Sequence, residues 1–233
     1  MNAPGPRPPL RVVIADDEVL VRTGFRVILQ SEDDFEVVAE AENGEAAVSA
    51  CRRCRPDVVL MDVRMPVMNG LEATRRVLAA APACRVIVLT TFDLDEYVYA
   101  AVAAGASGFL LKSVTAEQLA ASIRLVAAGD ALLAPSITRR LIERFAGDHR
   151  PPAAAHEALA TLSGRELEVL KLMARGLSNA ELAEALHLGQ TTVKSHVGRV
   201  LTKLDLRDRV QAVVFAYETG LVEPGTERSR SSS

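Results

Sequence analysis

The sequence lacks tryptophan, and aromatic residues make up only 4% of its 233 residues. Its three cysteines, Cys51, Cys54 and Cys84, cannot all pair within one chain, which argues against a disulfide framework and favours a reducing compartment. Cys51 and Cys54 have Cys-x-x-Cys spacing, but no second pair or histidine cluster accompanies them, so no zinc site is expected. No apolar run approaches roughly 18 residues, and the proline-rich start has no hydrophobic segment. We therefore expect a cytoplasmic protein without membrane spans.

The composition that is present predicts a folded, two-domain chain. Hydrophobic residues make up 49% and charged residues 24%, which is typical of globular domains. At about 150 residues per domain, the length favours two modest domains. Residues 1–134 hold 13 basic and 18 acidic residues, a net charge of −5, whereas residues 189–209 hold five basic and two acidic residues. An acidic module followed by one with a basic patch indicates a different partner for each.

The first 130 residues alternate short apolar runs with segments of helical periodicity. The apolar runs each suit a buried strand and lie at 12–15, 36–39, 58–61, 86–89 and 109–111. Helix-length patterns follow these runs, at about 18–30, 44–54, 70–80, 95–104 and 115–127. Strands that alternate with helices predict a parallel α/β sheet covered on both faces. We therefore expect an α/β domain over residues 10–130.

The rest of the chain predicts a linker and a small all-α domain. Residues 131–158 contain a short helical pattern and a proline- and alanine-rich stretch, and are predicted to form a linker with a short helix. Residues 159–223 are predicted to form the second domain. The serine-rich tail, residues 224–233, is expected to be disordered.

Capping patterns divide the second domain into helices. Ser163 with Glu166 and Ser178 with Glu181 are capping boxes that open helices of about three and two turns. After a break at 187–189, a third helix is predicted over about 191–204 and a fourth over 207–217. A short helix, a tight turn and a longer helix are typical of a helix-turn-helix.

The third predicted helix has two distinct faces. Its apolar residues fall at three- and four-residue spacing and are expected to pack inward: Val193, Val197, Val200, Leu201 and Leu204. Basic and small polar residues remain on the outer face. A basic outer face on the second helix of a helix-turn-helix suits the major groove of DNA, although a solvated helix in a bundle would look similar.

Polar residues follow four of the five predicted strands. They are Asp16 and Asp17 after the first strand, Asp62 after the third, Thr90 after the fourth and Lys112 after the fifth. If the strand order is 2-1-3-4-5, these strands are neighbours and the residues face one pocket at the carboxyl edge of the sheet. Three neighbouring carboxylates need a cation, and Mg²⁺ is the usual choice. Asp62 would then be placed to accept a phosphoryl group, with Thr90 and Lys112 contacting its oxygens.

Four stretches of this half resemble the receiver domain of bacterial two-component response regulators. They are VVIADDE (12–18), VVLMDVRMPVMNG (58–70), VIVLTTF (86–92) and GASGFLLKS (105–113). The resemblance implies a flavodoxin-like fold with five parallel strands in the order 2-1-3-4-5. It also implies that Asp62 is the phosphoacceptor, that Asp17 binds Mg²⁺ directly and Asp16 mainly through water, and that the main-chain carbonyl of Arg64 completes the metal site.

The same resemblance implies a switch next to the phosphoacceptor. Thr90 and Lys112 would contact the phosphoryl group. Phe109 matches the aromatic position whose side chain turns inward when Thr90 moves toward the phosphate.

The second half resembles the LuxR-type DNA-binding domain at the C-terminus of NarL/FixJ response regulators. The resemblance is carried by LSGRELEVLKLMARGLSNAELAEALHLGQTTVKSHVGRVLTKLDLRDRVQAVVFAYETGLV (162–222). It implies that 191–204 is the recognition helix, with Lys194 and Ser195 at base- and phosphate-facing positions and Arg199 and Lys203 toward the DNA backbone. The 207–217 helix would form a dimer contact.

Together the resemblances imply a transcription regulator controlled by phosphorylation. A histidine kinase would phosphorylate Asp62, and the C-terminal domain would bind double-stranded DNA as a homodimer, with RNA polymerase as a further partner and no membrane partner. The protein would not be an enzyme, except that it assists the phosphorylation and dephosphorylation of its own aspartate.

Two other functions share parts of this pattern. An aspartyl-phosphate hydrolase of the haloacid dehalogenase type also combines a nucleophilic aspartate, Mg²⁺, a threonine or serine and a lysine, but it needs a second aspartate two residues after the nucleophile, where Arg64 stands. A small-molecule-sensing LuxR-type regulator would share the DNA-binding half, but it gives the acidic cluster no role.

Overall fold

The computed structural model describes residues 8–91, 94–129 and 153–222. The chain divides into two compact units, Met1–Leu132 and Leu133–Ser233. No helix within the described ranges has both the length and the hydrophobicity that a membrane crossing requires. The short helix predicted in the linker and the tail 224–233 lie outside the described residues.

The first unit is built on a sheet of five parallel strands in the order β2-β1-β3-β4-β5. The strands are β1 (Leu10–Ala15), β2 (Phe35–Ala41), β3 (Val58–Asp62), β4 (Arg85–Thr90) and β5 (Gly108–Leu111). The helices are α1 (Val19–Gln30), α2 (Gly44–Cys54), α3 (Gly70–Ala80), α4 (Leu94–Ala103) and α5 (Ala116–Ala127). The predicted fold and strand order are confirmed, so the carboxyl ends of β1, β3, β4 and β5 are neighbours.

Side-chain caps fix the starts of three helices of this unit. The side chain of Asn43 accepts a hydrogen bond from the Ala46 N–H, and that of Asn69 accepts one from the Glu72 N–H, each at 2.9 Å. Thr115 opens α5 with the capping box that its sequence predicts. Each cap satisfies a backbone donor that the first helical turn leaves unpaired, and it sets where the helix begins after its strand.

The hydrophobic core lies on both sides of the central strands. Every residue of β3 is buried, as are residues 12–15 of β1 and 86–90 of β4. The strand predicted at 36–39 is present, but the expectation that it is buried is wrong, because Glu36 is exposed and residues 37–39 are half-buried. β2 is an edge strand with one neighbour, so less of it is covered.

The second unit is entirely helical in its described part. It contains α6 (Ala153–Ala160), α7 (Gly164–Ala174), α8 (Asn179–Leu186), α9 (Gln190–Lys203) and α10 (Arg209–Glu218). Both predicted capping boxes are present, at the starts of α7 and α8. α8, the turn at 187–189 and α9 form the predicted helix-turn-helix.

Its core joins α7, α8, α9 and α10. Val193, Val197 and Val200 of α9 are buried among apolar residues of the other helices, and Leu201 is packed against the cluster. The inward face predicted for this helix is therefore confirmed. The buried Tyr217 hydroxyl donates to the Ala174 carbonyl at 2.9 Å, which ties α10 to the end of α7.

α6 is a difference from the expected linker. It begins at Ala153, within the segment predicted to connect the domains, and Ala158 and Leu159 pack against the helical core. Alanine is the strongest helix former, so an alanine-rich segment next to an apolar core favours a helix over an extended linker. The helical structure of the second unit therefore begins before the predicted boundary at 159.

Candidate functional site

The three predicted pocket carboxylates lie together at the ends of β1 and β3. Oxygen atoms of Asp16, Asp17 and Asp62 lie within 4.8 Å of one another. Asp16 and Asp62 are 0% and 6% exposed, whereas Asp17 is exposed. Within the described ranges, this is the one cluster of three or more residues that could hold a metal ion. The parallel strand order brings these residues together, as the sequence predicts.

Lys112 enters the same pocket from the end of β5. Its Nζ lies 2.8 Å from Asp16 Oδ2, 3.2 Å from Asp62 Oδ1 and 3.3 Å from Glu18 Oε1. Its backbone N–H donates to the Thr90 carbonyl at 2.8 Å, which fixes the lysine relative to the end of β4. Glu18 was not among the predicted pocket residues, although it directly follows Asp16-Asp17 in the chain.

The pocket shifts the pKa of two of its groups. Burial raises the pKa of the Asp62 carboxyl; the positive charge of Lys112 opposes this change, and the negative charge of Asp16 adds to it. Burial lowers the pKa of Lys112, but the carboxylates of Asp16 and Asp62 outweigh it, so the pKa of Lys112 is raised. Lys112 is therefore an ammonium at neutral pH, and one ammonium facing three carboxylates leaves the pocket negative.

Asp16 is held by the start of α1. Its Oδ1 accepts a hydrogen bond from the Glu18 N–H at 2.9 Å, and its main-chain carbonyl accepts one from Arg22 Nη1 at 2.6 Å. Its Oδ2 is buried and faces the Lys112 ammonium at 2.8 Å. Buried carboxylate oxygens that lie close together and share one ammonium suit a hard divalent cation. The residues present therefore fit Mg²⁺.

The segment after Asp62 returns to the strand through a close backbone contact. The Gly70 N–H donates to the Val63 carbonyl at 2.9 Å. A Cβ at position 70 would collide with the Asp62 carbonyl oxygen, so glycine is required here. Arg64 lies in this loop with an exposed side chain. The loop therefore runs directly beside the carboxyl end of β3.

The two predicted switch residues lie on neighbouring strands. Thr90 ends β4 and is 5% exposed, and Phe109, in β5, is 4% exposed. Phe109 pairs with Val88, and Thr90 pairs with Leu111. The two residues therefore share the β4–β5 side of the pocket edge.

The outer face of α9 presents the residues predicted to contact DNA. Lys194, Ser195, Arg199 and Lys203 are all exposed. Gly198 is also exposed, and its Cα faces open space. The exposed side of the helix is therefore basic, and it carries no side chain at its centre, where Gly198 lies.

Lys203 has partners within its own unit. Its Nζ donates to Glu166 Oε2 at 2.6 Å and to the Thr161 carbonyl at 3.1 Å. Glu166 is buried and also accepts from the Ser163 N–H at 2.8 Å. The hydrogen bond with Lys203 comes first among the causes that lower the pKa of Glu166 to about 2. This pair could not be predicted from local patterns, because 37 residues separate the two positions.

The sequence matches two known families, one for each unit. Residues 12–124 match the response regulator receiver domain, and residues 160–216 match the bacterial regulatory proteins of the luxR family. The two matches cover the described sheet and the helix-turn-helix.

Full-length relatives and solved structures agree with these matches. The uncharacterized transcriptional regulatory protein YxjL of Bacillus subtilis is 41% identical over 92% of this chain and 98% of its own length. The transcriptional regulatory protein DegU of Brevibacillus brevis is 40% identical over 92% of this chain and 95% of its own. A crystal structure of a LuxR-family two-component response regulator from Aurantimonas sp. SI85-9A1 is 32% identical, with a TM-score of 0.54, and the alignment covers 58% of this chain and 97% of that one.

These relatives carry both units in the same order, so the resemblance applies to the whole arrangement and not to one domain alone. They support neither the hydrolase nor the small-molecule sensor, since the unit before the helix-turn-helix is a receiver. The chain belongs to the response regulators that join a receiver domain to a LuxR-type DNA-binding domain, and it is a DNA-binding regulator of transcription.

Proposed function

We propose that Asp62 is the phosphoacceptor of this regulator and that a sensor histidine kinase is the phosphodonor. The observation behind this assignment is the position of Asp62: its carboxylate ends the central strand, lies within 4.8 Å of two other carboxylates and is 3.2 Å from Lys112. In the transfer, a carboxylate oxygen of Asp62 bonds to phosphorus as the P–N bond to the kinase histidine breaks.

The chain's own residues assist both the phosphorylation of Asp62 and its later dephosphorylation. Lys112 carries the positive charge that pairs with a phosphoryl oxygen, and the Thr90 hydroxyl donates to another. The protein thus promotes the phosphorylation of its own aspartate and its dephosphorylation, in which water attacks phosphorus and the Asp62 carboxylate leaves.

Mg²⁺ would be held by four groups of this pocket: the carboxylates of Asp16, Asp17 and Asp62 and the main-chain carbonyl of Arg64. The buried Oδ2 of Asp16 and the closeness of the three carboxylates support this set. When bound, the ion would neutralise charge on the phosphoryl oxygens. Asp16, fixed by the Glu18 N–H and Arg22, would orient the set before the phosphodonor arrives.

Phosphorylation would control assembly through Thr90 and Phe109. Thr90 would move toward the phosphoryl group and Phe109 would follow, so that the phosphorylated protein forms a homodimer. Their positions on paired strands, next to Lys112, support a coupled movement.

The dimer would bind double-stranded DNA in the cytoplasm through α9. Lys194, Ser195 and Arg199 would contact bases and phosphates, and Lys203 would contact the backbone when it leaves Glu166. RNA polymerase would be the partner through which bound protein changes transcription.

The phosphoacceptor is tested by labelling. Incubation with Mg²⁺ and acetyl phosphate should add one phosphoryl group that alkali or hydroxylamine removes, and Asp62→Asn or chelation of the metal should abolish it. Asp33→Asn, which changes an exposed aspartate of the same unit, should label like the wild type. A label that persists in Asp62→Asn and maps to serine or threonine would contradict the assignment.

A further inference from the structure

An open cleft lies where α2 meets α3, and it shares no residue with the phosphoacceptor pocket. Its volume is about 490 Å³, within the range of sites that take small organic molecules. Residues 45, 48, 49, 52 and 53 of α2 line one wall; their three- and four-residue spacing puts them on one side of the helix. Met68 and Arg76 complete the lining.

The cleft is basic in a unit that is acidic overall. Arg52, Arg53 and Arg76 line it, against the single acidic lining residue Glu45. Arg52 and Arg53 are exposed and form no ion pair or hydrogen bond with the described residues. Three arginines against two carboxylates, Glu45 of the lining and Glu72 beside Arg76, leave a local positive potential, which an anion would relieve.

Arg76 is already oriented by its own helix. Its Nε donates to Glu72 Oε1 at 2.8 Å, and Arg75 contacts the other oxygen of Glu72 at 3.3 Å. The hydrogen bond with Arg76 comes first among the causes that lower the pKa of Glu72, so this carboxylate stays charged and holds Arg76. A guanidinium with one N–H engaged in this exposed pair has donors left for a second anion.

The other lining groups narrow the class of ligand. Guanidinium groups pair with phosphates through two parallel hydrogen bonds, and their planar faces also stack on rings. Val48 and Met68 also line the cleft, although they are only 7% and 8% exposed, and Ser49 and Glu45 offer acceptors for hydroxyl or amino groups. We propose that this cleft binds a small phosphorylated molecule with an apolar or ring portion, of the nucleoside diphosphate class.

The cleft also adjoins the loop that follows Asp62. Met68 belongs to that loop, and its carbonyl accepts the Gly44 N–H at 3.1 Å, at the start of α2. A ligand that contacts Met68 would therefore restrain the loop beside the phosphoacceptor and change its rate of phosphorylation. This coupling rests on the proposed role of Asp62, whereas the binding site does not.

Binding is tested by calorimetric titration of the full chain with ADP, pyrophosphate and adenosine. EDTA is present so that the acidic pocket cannot recruit nucleotide through a metal. We expect ADP to bind, pyrophosphate to bind more weakly and adenosine not to bind. Arg52→Gln and Arg76→Gln should each weaken ADP binding by roughly 10-fold or more, because each removes a charge-assisted contact.

Two control variants make the same change of charge elsewhere. Arg55→Gln alters an exposed arginine that directly follows α2 and is outside the lining, and Arg199→Gln alters the basic face of α9. Both should bind ADP within roughly twofold of the wild type. The proposal is overturned if ADP and pyrophosphate do not bind at millimolar concentration, or if either control weakens binding as much as Arg52→Gln does.

The coupling is tested by the rate of acetyl phosphate labelling at saturating ADP. We expect the rate to change in the wild type and in Arg55→Gln but not in Arg52→Gln. ADP that binds without changing the wild-type rate would overturn the coupling. If Asp62 is not labelled even without ADP, the proposed phosphoacceptor is wrong, whereas the titration still decides whether the cleft binds ADP.

Discussion

Lys112 sets the charge balance of the acidic pocket. It lies within 3.3 Å of oxygens of Asp16, Glu18 and Asp62, so a single ammonium is shared among three carboxylates. Any phosphoryl group that arrives at Asp62 competes for this ammonium. The lysine is therefore able to exchange carboxylate partners for phosphoryl oxygens, since both bind an ammonium through oxygen atoms.

Without metal, the buried Asp62 carboxylate lowers the stability of the folded state at neutral pH. Because the pKa of Asp62 is raised, the folded state disfavours the carboxylate at pH 7, and the cost disappears as pH falls through the folded and then the unfolded pKa. Asp62→Asn without metal should therefore be more stable than the wild type at pH 7 but not in acid. Thermal unfolding from pH 7 to 3 measures this, with Asp33→Asn as the control. A variant less stable than the wild type at pH 7 would contradict it.

Mg²⁺ should reverse the order of stability. An ion present at about 100 times its dissociation constant stabilises the folded state by about 2.7 kcal/mol. The wild type, which has all three carboxylates, should gain this stabilisation in full, and Asp62→Asn should gain less. This linkage would explain why a protein keeps a pocket that costs it stability when the metal is absent.

At the scale of elements, most of the fold could be predicted because each rule acts locally. Hydrophobic runs predicted the strands, and capping residues such as Ser163 and Thr115 predicted where helices begin. The parallel strand order predicted that the residues at the strand ends lie together. Contacts between distant positions could not be predicted in this way. Glu166 meets Lys203 only because α7 packs on α9, and the partial burial of β2 depends on the helices that pack on its faces.

The Glu166–Lys203 pair should make the second unit sensitive to acid. The pKa of Glu166 falls from 4.5 to about 2 on folding, so its contribution to stability is complete above about pH 4.5 and is lost as pH falls to about 2. Glu166→Gln should therefore be less stable than the wild type at pH 7, and the difference should narrow over that range. Thermal unfolding of fragment 153–222 tests this. Glu168→Gln, which breaks an exposed pair with Arg165, should have little effect at any pH; equal loss in both variants would contradict the role of Glu166.

The same pair bears on how α9 meets DNA. Each phosphate that a basic residue neutralises contributes about 0.9 to the slope of log K against log salt. Arg199→Gln, which removes an exposed cation that forms no ion pair with the described residues, should lower that slope by about one, whereas Lys203→Gln should lower it less because Glu166 competes for the lysine. Salt titrations of DNA binding measure both, with the exposed Lys171→Gln on α7 as the control. A larger effect for Lys203 than for Arg199 would contradict this ranking.

At the scale of the whole molecule, chemistry in one unit must change what the other unit does. The carboxylate cluster lies in the first unit and the exposed basic helix in the second, and each unit has a core of its own. A change of assembly state is the simplest link, because a dimer presents two recognition helices to DNA whatever the arrangement within one chain. Phosphorylation should then raise DNA affinity most strongly at protein concentrations near the dimerisation constant.

Thr90 is the residue on which this link should depend. Acetyl phosphate should tighten dimerisation of the wild type by roughly 5–150-fold, the usual range of coupling between two sites. Thr90→Ala should still be labelled at Asp62, because the carboxylates and Lys112 remain, but it should dimerise no better after labelling and should bind DNA as the unlabelled protein does. Thr91→Ala removes the adjacent exposed hydroxyl and should respond like the wild type. Light scattering after size-exclusion chromatography, before and after labelling, measures the assembly state, and a DNA titration at matched concentrations measures the output. Labelled Thr90→Ala that dimerises as well as the wild type would remove Thr90 from the link and leave Lys112 as the residue that reports the phosphoryl group.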